Sequence, residues 1–356
     1  MKRTVLIIAS FLTIAGTGLA QNISKNEAKA LKSFLAQTSA KGTTNASQLG
    51  VQANNLTAIP GVKAENGHVT QIEWKDKDLA GTLDLSGFAS LQKVDVSGNK
   101  ISTVSMTDNP ALEDINVSHN RITDFTCTGC PQVSTLRLNR NRIAEVDLGQ
   151  MPFLKNLNIS GNQMEALDVT NVVNLENLNC MSNRLESLEV AGCQNLKNLY
   201  AGYNELTDIE LGGLVKLSNL NLTGNKIQKL YLQNLPSLTT LLASDNHMTN
   251  LAFNNCKAIN EIWVPYNDLT SIEVGDAPAL AFVNVEWNDL ITLTLSNLSF
   301  LQRVNAANNQ LVTVDVTNDP NLTTLILTNN EMLTDLRIEM DPMLRNVIGY
   351  SEWNVF

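Results

Sequence analysis

The chain has 356 residues, 25 of them basic and 35 acidic, for a formal charge of −10, and only 5% of its residues are aromatic. So acidic a surface argues against nucleic acid and anionic membranes as partners, because binding phosphate needs a basic face.

The amino terminus carries Lys2 and Arg3, an apolar run from Val5 to Ala15, then Gly18, Leu19 and Ala20 before Gln21. This is the pattern of a secretory signal peptide over residues 1–20, with small residues at the third and first places before a cut after Ala20. The run is too short to span a bilayer, and no other stretch is long and apolar enough. Gln21 rather than cysteine follows the cut, which argues against a lipoprotein anchor. Loss of Lys2 and Arg3 leaves 23 basic against 35 acidic residues, a formal charge of −12. The expectation is an exported, soluble chain, extracellular, at the cell surface or periplasmic.

Residues 21–68 read as a cap helix and connector. Over residues 24–37, Ala28, Leu31, Phe34 and Leu35 fall at helical spacing behind Ser24, which can cap with Glu27 three residues on. A polar connector from Thr38 to Thr57 precedes a turn around Gly61, Val62, Gly67 and Val69. Trp74 and the run Leu83, Asp84, Leu85, Ser86 come next.

From Leu91 an asparagine returns at one fixed interval, from Asn99 through Asn120 and Asn141 to Asn330, twelve in strict register. Each sits in the frame LxxLxLxxNxLxxLxLxxxPx, seen almost undiluted in Leu154, Leu157, Ile159, Asn162, Met164, Leu167 and Val169. We number the units from Leu91 and the positions from the first leucine. The unit before them starts at Val69, is longer by a single residue and has Lys77 at the asparagine place. A thirteenth starts at Leu344, one residue late, with the slip near Met332 and Leu333. The array therefore covers 69–343, and 344–356 are a partial repeat and far cap that Trp353 and Phe356 would close.

Leucines at positions 4 and 6 alternate with position 5, which is the period of a strand with one buried face. The asparagine turns the chain out of that strand, where its amide can satisfy backbone groups otherwise buried unpaired. Positions 11 to 16 alternate likewise but lie too close to the Gly, Asn and Pro of positions 17 to 20 for a helix. A 21-residue period with this spacing is that of a leucine-rich repeat. The expected fold is a β-rich leucine-rich repeat solenoid, with a parallel sheet on the concave face, extended or turn segments on the convex face, and a short helical cap. Thirteen coils would span roughly 60 Å. The helix, the GV…GxV turn and the LDLS run resemble the amino-terminal cap of many leucine-rich repeat proteins. In plant forms cysteines staple that cap; none is present here, so it must rest on packing, with Trp74 its candidate centre. The two-halved frame resembles a class common in exported bacterial proteins. That resemblance implies adhesion or host-facing recognition. Such proteins often carry an anchoring or sorting domain, whereas this chain ends with its last repeat.

Cys127 and Cys180 fall at positions 16 and 6, and Cys130, Cys193 and Cys256 at position 19, all inward-facing sites. Buried free thiols are the favoured reading over a Cys127–Cys130 bridge or redox pair. Positions 2, 3, 5, 7 and 8 should face solvent on the concave side. Tyr200, Tyr203, Leu242, Trp263, Tyr266, Phe282 and Trp287 gather there in units six to ten, with Asp245 and Glu286 close by. These nine are the candidate ligand-binding residues, against the blander reading that surface aromatics stiffen the sheet. They suit a protein hot spot, or a sugar by stacking and hydroxyl hydrogen bonds. Arg137, Arg140 and Arg142 form a secondary basic patch. An acidic row at position 15 includes Asp147, Asp168 and Asp315. His119 and His247 are six coils apart, about 29 Å at strand spacing, too far to share a metal or a proton relay. No phosphate loop, zinc spacing or nucleophile elbow occurs. The expectation is a non-enzymatic module without cofactor or metal that binds a protein partner, with a glycan ligand as the alternative and a hydrolase a distant third.

Overall fold

The computed structural model describes residues 23–53, 58–149, 151–275 and 277–350; the signal-peptide segment and the proposed far cap with Trp353 and Phe356 lie outside them. Helix α1 (Lys25–Ala36) starts at Ser24, whose side chain accepts the Glu27 N–H at 3.3 Å. The Glu27 carboxylate does not return to Ser24, because the Ser24 N–H already donates to the Gly67 carbonyl at 2.9 Å. Glu27 is buried instead, accepting the Val69 N–H at 3.2 Å and meeting His68 Nδ1 at 3.2 Å, so it ties the helix to the first coil. Phe34 stacks on the fully buried Trp74 with centroids 5.6 Å apart, and the Trp74 indole N–H donates to the Pro60 carbonyl at 2.9 Å. The cap thus rests on packing around Trp74. The polar connector is more ordered than expected: it contains a one-turn helix α2 (Asn45–Gln48) capped by Thr44. Asn45 there donates to the carbonyls of Phe34 and Ala80, both at 2.9 Å, a role its polar neighbours concealed.

Strands β1 (Val62–Glu65) and β2 (His68–Glu73) form an antiparallel hairpin that opens a fifteen-stranded sheet ending at Asn346–Ile348. The other pairings are parallel and in step with the repeat, as Asn156–Asn158 against Asn177–Asn179, with the position-4 leucine buried. The slip lies where expected, since Thr324 pairs with Asn346 rather than with the residue before it, and Met332 bulges out. No helix among the described residues is long and apolar enough to cross a membrane.

The opposite face carries short parallel sheets rather than one continuous layer. Its breaks fall at or just after the coils with glycine at position 17, because glycine offers a strand no side chain to pack. The described residues of the Gly149 and Gly212 coils form no strand there, and the Gly275 coil carries the last strand of its sheet, Ser271–Glu273. Those glycines stand three coils apart, and so do Cys130, Cys193 and Cys256. A three-coil period therefore overlies the single-coil one. All five cysteines are buried and free, and burial pushes the Cys180 thiol up to about 12 and that of Cys193 to about 11.

Each asparagine from Asn120 to Asn330 makes the same bonds. At Asn225 the amide NH₂ donates to the Leu222 carbonyl at 2.9 Å and to the Ala201 carbonyl of the preceding coil at 3.1 Å, while Oδ1 accepts the Leu206 N–H at 3.1 Å. Position 19 makes a second ladder on the other side. Asn109 donates to the Leu85 carbonyl at 2.8 Å, Cys130 to Met106 at 3.1 Å, Cys193 to Val169 at 3.1 Å and Cys256 to Leu232 at 3.5 Å, each 24 residues back. The next step of the three-coil period is Asp319, fully buried, whose Oδ1 accepts the Leu298 N–H at 2.6 Å and whose Oδ2 has no partner. The same register assigns it the Leu295 carbonyl, an acceptor that only a protonated acid can satisfy. Burial raises the Asp319 carboxyl to about 7, and burial likewise raises Asp341, which accepts the Asp319 N–H.

Asn225→Ala strands an N–H and two carbonyls and should lower unfolding stability by about 3 kcal/mol in urea titration, whereas a loss within error would mean that water replaces the ladder. Because the folded-state pKa of Asp319 is raised, its contribution is complete below about pH 4, falls as pH rises to about 7 and is flat above. That loss should reach up to about 4 kcal/mol, and Asp319→Asn should remove most of the slope by donating to the same carbonyl at every pH, leaving the share of Asp341. An unchanged pH profile in the variant would reject the protonated-acid reading.

Candidate functional site

Residues that serve the frame must be set aside before a binding face can be recognised. At position 5 an Asn or Asp side chain accepts the N–H two residues on: Asp95 from Ser97 at 3.0 Å, Asn158 from Ser160 at 3.1 Å, Asn221 from Thr223 at 3.0 Å and Asn284 from Glu286 at 3.1 Å. These residues hold the turn. Five coils give that bond up, with Arg137, Tyr200, Leu242, Trp263 and Ile326 at position 5. After Trp263 the residue in question is Pro265, which has no N–H to satisfy, so the tryptophan is free to face outward. The acids of position 15 do the same work on the other side, as Asp168 accepting the Thr170 N–H at 2.8 Å and Asp315 that of Thr317 at 3.0 Å. Their recurrence is therefore structural.

Position 8 is left-handed throughout: φ is +56° at Tyr203 and Tyr266, +53° at Trp287 and +55° at Asp245, against +68° at Gly224. Glycine adopts this conformation freely, whereas a bulky side chain in it costs about 1 kcal/mol. The Tyr203 ring lies against Gly224, where an added Cβ would come within 2.8 Å of it. Tyr266 and Trp287 stack with centroids 5.9 Å apart and planes 12° from parallel.

Of the nine candidate residues, Tyr203, Asp245, Trp263, Tyr266 and Trp287 are exposed, and Tyr200, Leu242, Phe282 and Glu286 are half-buried between them. Trp263, Phe282, Asn284, Arg303 and Asn305 line a dent of about 100 Å³. A larger hollow of about 430 Å³ lies on the other side, where the short sheets break at Gly212 and Gly213. One expectation needs correction: position 7 does not face solvent like its neighbours. Ser97, Ser118, Gly202, Pro265 and Ala307 are buried there and the rest of the row is half-buried, because the left-handed residue that follows folds position 7 under the turn. Glu286, half-buried, is the one acidic residue in that row. Asn305 and Asn308 join the site although in sequence both look like ordinary frame asparagines. Asn305 donates to Glu286 Oε2 at 2.9 Å and Asn308 to Oε1 at 3.5 Å.

The basic patch is uneven. Arg137 forms an ion pair with Asp114 at 2.7 Å, while Arg140 packs its stem over Gly161 and stays exposed, as does Arg142. His68 is tied to Glu27, and His247 faces Asp268 at 3.6 Å. Among the described residues no group of three His, Cys, Asp or Glu side chains is placed to hold a metal ion.

No protein-family model and no curated protein matches the sequence. Solved structures do match in fold. YopM from Yersinia enterocolitica is 22% identical over 73% of this chain and 64% of its own, with a TM-score of 0.51. The LRR protein LIC12759 of Leptospira interrogans is 22% identical over 73% of this chain and 72% of its own, at 0.52. The plant peptide hormone receptor RGFR1, in complex with RGF2, is 15% identical over 79% of this chain and 62% of its own, at 0.55. At such identities the likeness is one of fold, and the chain spans less than two thirds of YopM and RGFR1.

Replacing Tyr203 by glycine tests whether the exposed rings serve the fold. Release of left-handed strain should offset the lost ring contact, leaving urea-unfolding stability unchanged within about 1 kcal/mol. A loss of more than about 2 kcal/mol would make the ring a structural stiffener.

Proposed function

We propose that this chain, a leucine-rich repeat protein by its fold, is a non-catalytic binding module that recognises a protein partner through the outward face of coils six to ten. The observation that carries this reading is the set of large aromatic side chains left in solvent there: Tyr203 is 55% exposed, Trp263 42%, Tyr266 58% and Trp287 49%. They stand where other coils use asparagine or glycine, so the turn does not call for them. Aromatic clusters on a rigid surface, ringed by polar side chains, have the make-up of protein hot spots. The dent beside Trp263 is too small to engulf a small molecule, for which sites of about 300 Å³ or more are usual. A broad face suits a broad partner.

The neighbour RGFR1, solved with RGF2, supports use of the fold for recognition. Residues 1–20 support an exported setting, and the repeat frame supports an adhesive or host-facing role. Arg140 and Arg142, exposed and outside any ion pair among the described residues, are proposed as a secondary contact for an acidic patch on the partner.

Trp263→Ala and Tyr266→Ala should each abolish capture of the partner by the purified 21–356 chain while leaving its unfolding midpoint in place, since both rings are exposed. Capture that survives both changes would move the interface elsewhere. Tryptophan fluorescence titrated with an oligosaccharide panel separates the glycan reading: saturable quenching lost in Trp263→Ala would replace protein by sugar as the ligand.

A further inference from the structure

We propose that Glu286, Trp287 and Tyr266 form a subsite for an arginine side chain, so that the protein recognised by this face presents an exposed arginine to it. The inference rests on the protein-binding reading above and adds the chemistry of what docks.

Glu286 is the starting point. The rest of the position-7 row is small or uncharged, with Ser244, Pro265, Ala307 and Thr328 nearby. A carboxylate is out of place there, and its position is closely fixed. Its two oxygens accept the amides of Asn305 and Asn308, and each amide is itself oriented. The Asn305 oxygen accepts the Ala307 N–H at 3.2 Å, and the Asn308 oxygen accepts the Asn329 amide at 2.6 Å. Both NH₂ groups are thereby turned toward Glu286, which ends a polar chain running through three coils. Hydrogen-bond donors fix the carboxylate in place, yet no ion pair compensates its charge among the described residues. Arg303, the cation nearest in the frame, lines the dent beside Trp263 and pairs with no carboxylate there.

Beside this anchored charge stands the aromatic pair. Trp287 follows Glu286 in the chain, and the Tyr266 N–H donates to the Glu286 backbone carbonyl at 3.1 Å, so both rings spring from backbone that adjoins Glu286. The rings stack on each other and remain half-exposed, so that part of each ring stays open to solvent. Asp245 occupies position 8 one coil before Tyr266, exposed and likewise outside any ion pair among the described residues. Carboxylates thus flank the stack at both ends. A cation is the complement of such a surface, and an arginine fits its shape: the guanidinium plane lies on an indole or phenol face while its N–H fork meets a carboxylate. A lysine ammonium satisfies the charge alone.

The test uses the indole N–H resonances of the 21–356 chain, with Trp263 and Trp287 assigned through their Phe variants. The chain is titrated with Nα-acetyl-arginine amide, the citrulline analogue, which keeps the shape without the charge, and the lysine analogue. The Trp287 resonance should shift saturably with the arginine compound and about tenfold more weakly with either other compound. Glu286→Gln should weaken the arginine response about tenfold, while the buried Trp74 resonance stays in place as proof that the cap and first coil are intact. Equal response to citrulline or lysine, or an undiminished response in Glu286→Gln, overturns the proposal. The two readings fail separately: partner capture lost in Trp263→Ala but kept in Glu286→Gln would preserve the binding face and remove the arginine subsite.

Discussion

The structure depends on the fate of the backbone polar groups where each strand turns out of the sheet. These groups sit against the next coil, away from water, and no helix or hairpin is there to pair them. One asparagine per coil supplies two donors and an acceptor at the required spacing, and reaches back into the preceding coil as it does so. Because its bond partners lie at fixed places in its own coil and the one before, the asparagine sets the coil length as well as the turn. An inserted residue breaks that registration unless it falls between one ladder and the next, as at Met332.

That constraint also divides the surface into residues the fold uses and residues it does not. The turn needs a left-handed residue at position 8 and is eased by an Asn or Asp at position 5. A coil that keeps asparagine and glycine at these places serves the frame and nothing more. Coils that set tyrosine or tryptophan there have accepted backbone strain, lost a side-chain-to-backbone bond or, at Pro265, removed the N–H that the bond would have served. In a repeat protein the standard against which such departures are measured lies in the same chain, so a functional face can be sought without relatives to compare.

Periodicity made the solenoid readable from sequence: the asparagines, the alternating leucines and the slip after Asn330 all stand in the structure as written. The helix cap and the packing role of Trp74 were legible because amphipathic spacing and one large aromatic carry them. Less regular features were not. Helix α2 is a single turn among polar residues, held by Asn45 bonds to segments distant in sequence. The burial of position 7 follows from the left-handed turn after it, which alternation of hydrophobic residues does not reveal. Asp319 is buried at the position-19 place three coils after Cys256, which shows only once the three-coil period of Cys130, Cys193 and Cys256 is carried on to it. For the candidate site, the aromatic residues were legible and the amides that hold Glu286 were not, since hydrogen-bond direction is a property of three dimensions.

A stiff array changes what an exposed aromatic costs and yields on binding. Each of these coils is bonded to its neighbours through a parallel sheet and the asparagine ladder, so the rings of coils nine and ten are held at a fixed spacing before any partner arrives. Little backbone entropy remains to be lost on association, and affinity is then set mainly by contact and desolvation at the rings. Stiffness along the stack has a second effect, because repeat arrays couple chiefly between nearest neighbours. Asp319 stands in coil eleven and accepts the Leu298 N–H of coil ten, the coil that also carries Trp287 on its other side. Protonation at Asp319 therefore acts on a nearest neighbour of the aromatic face, and the end of the solenoid and the geometry of Trp287 are linked through one shared coil.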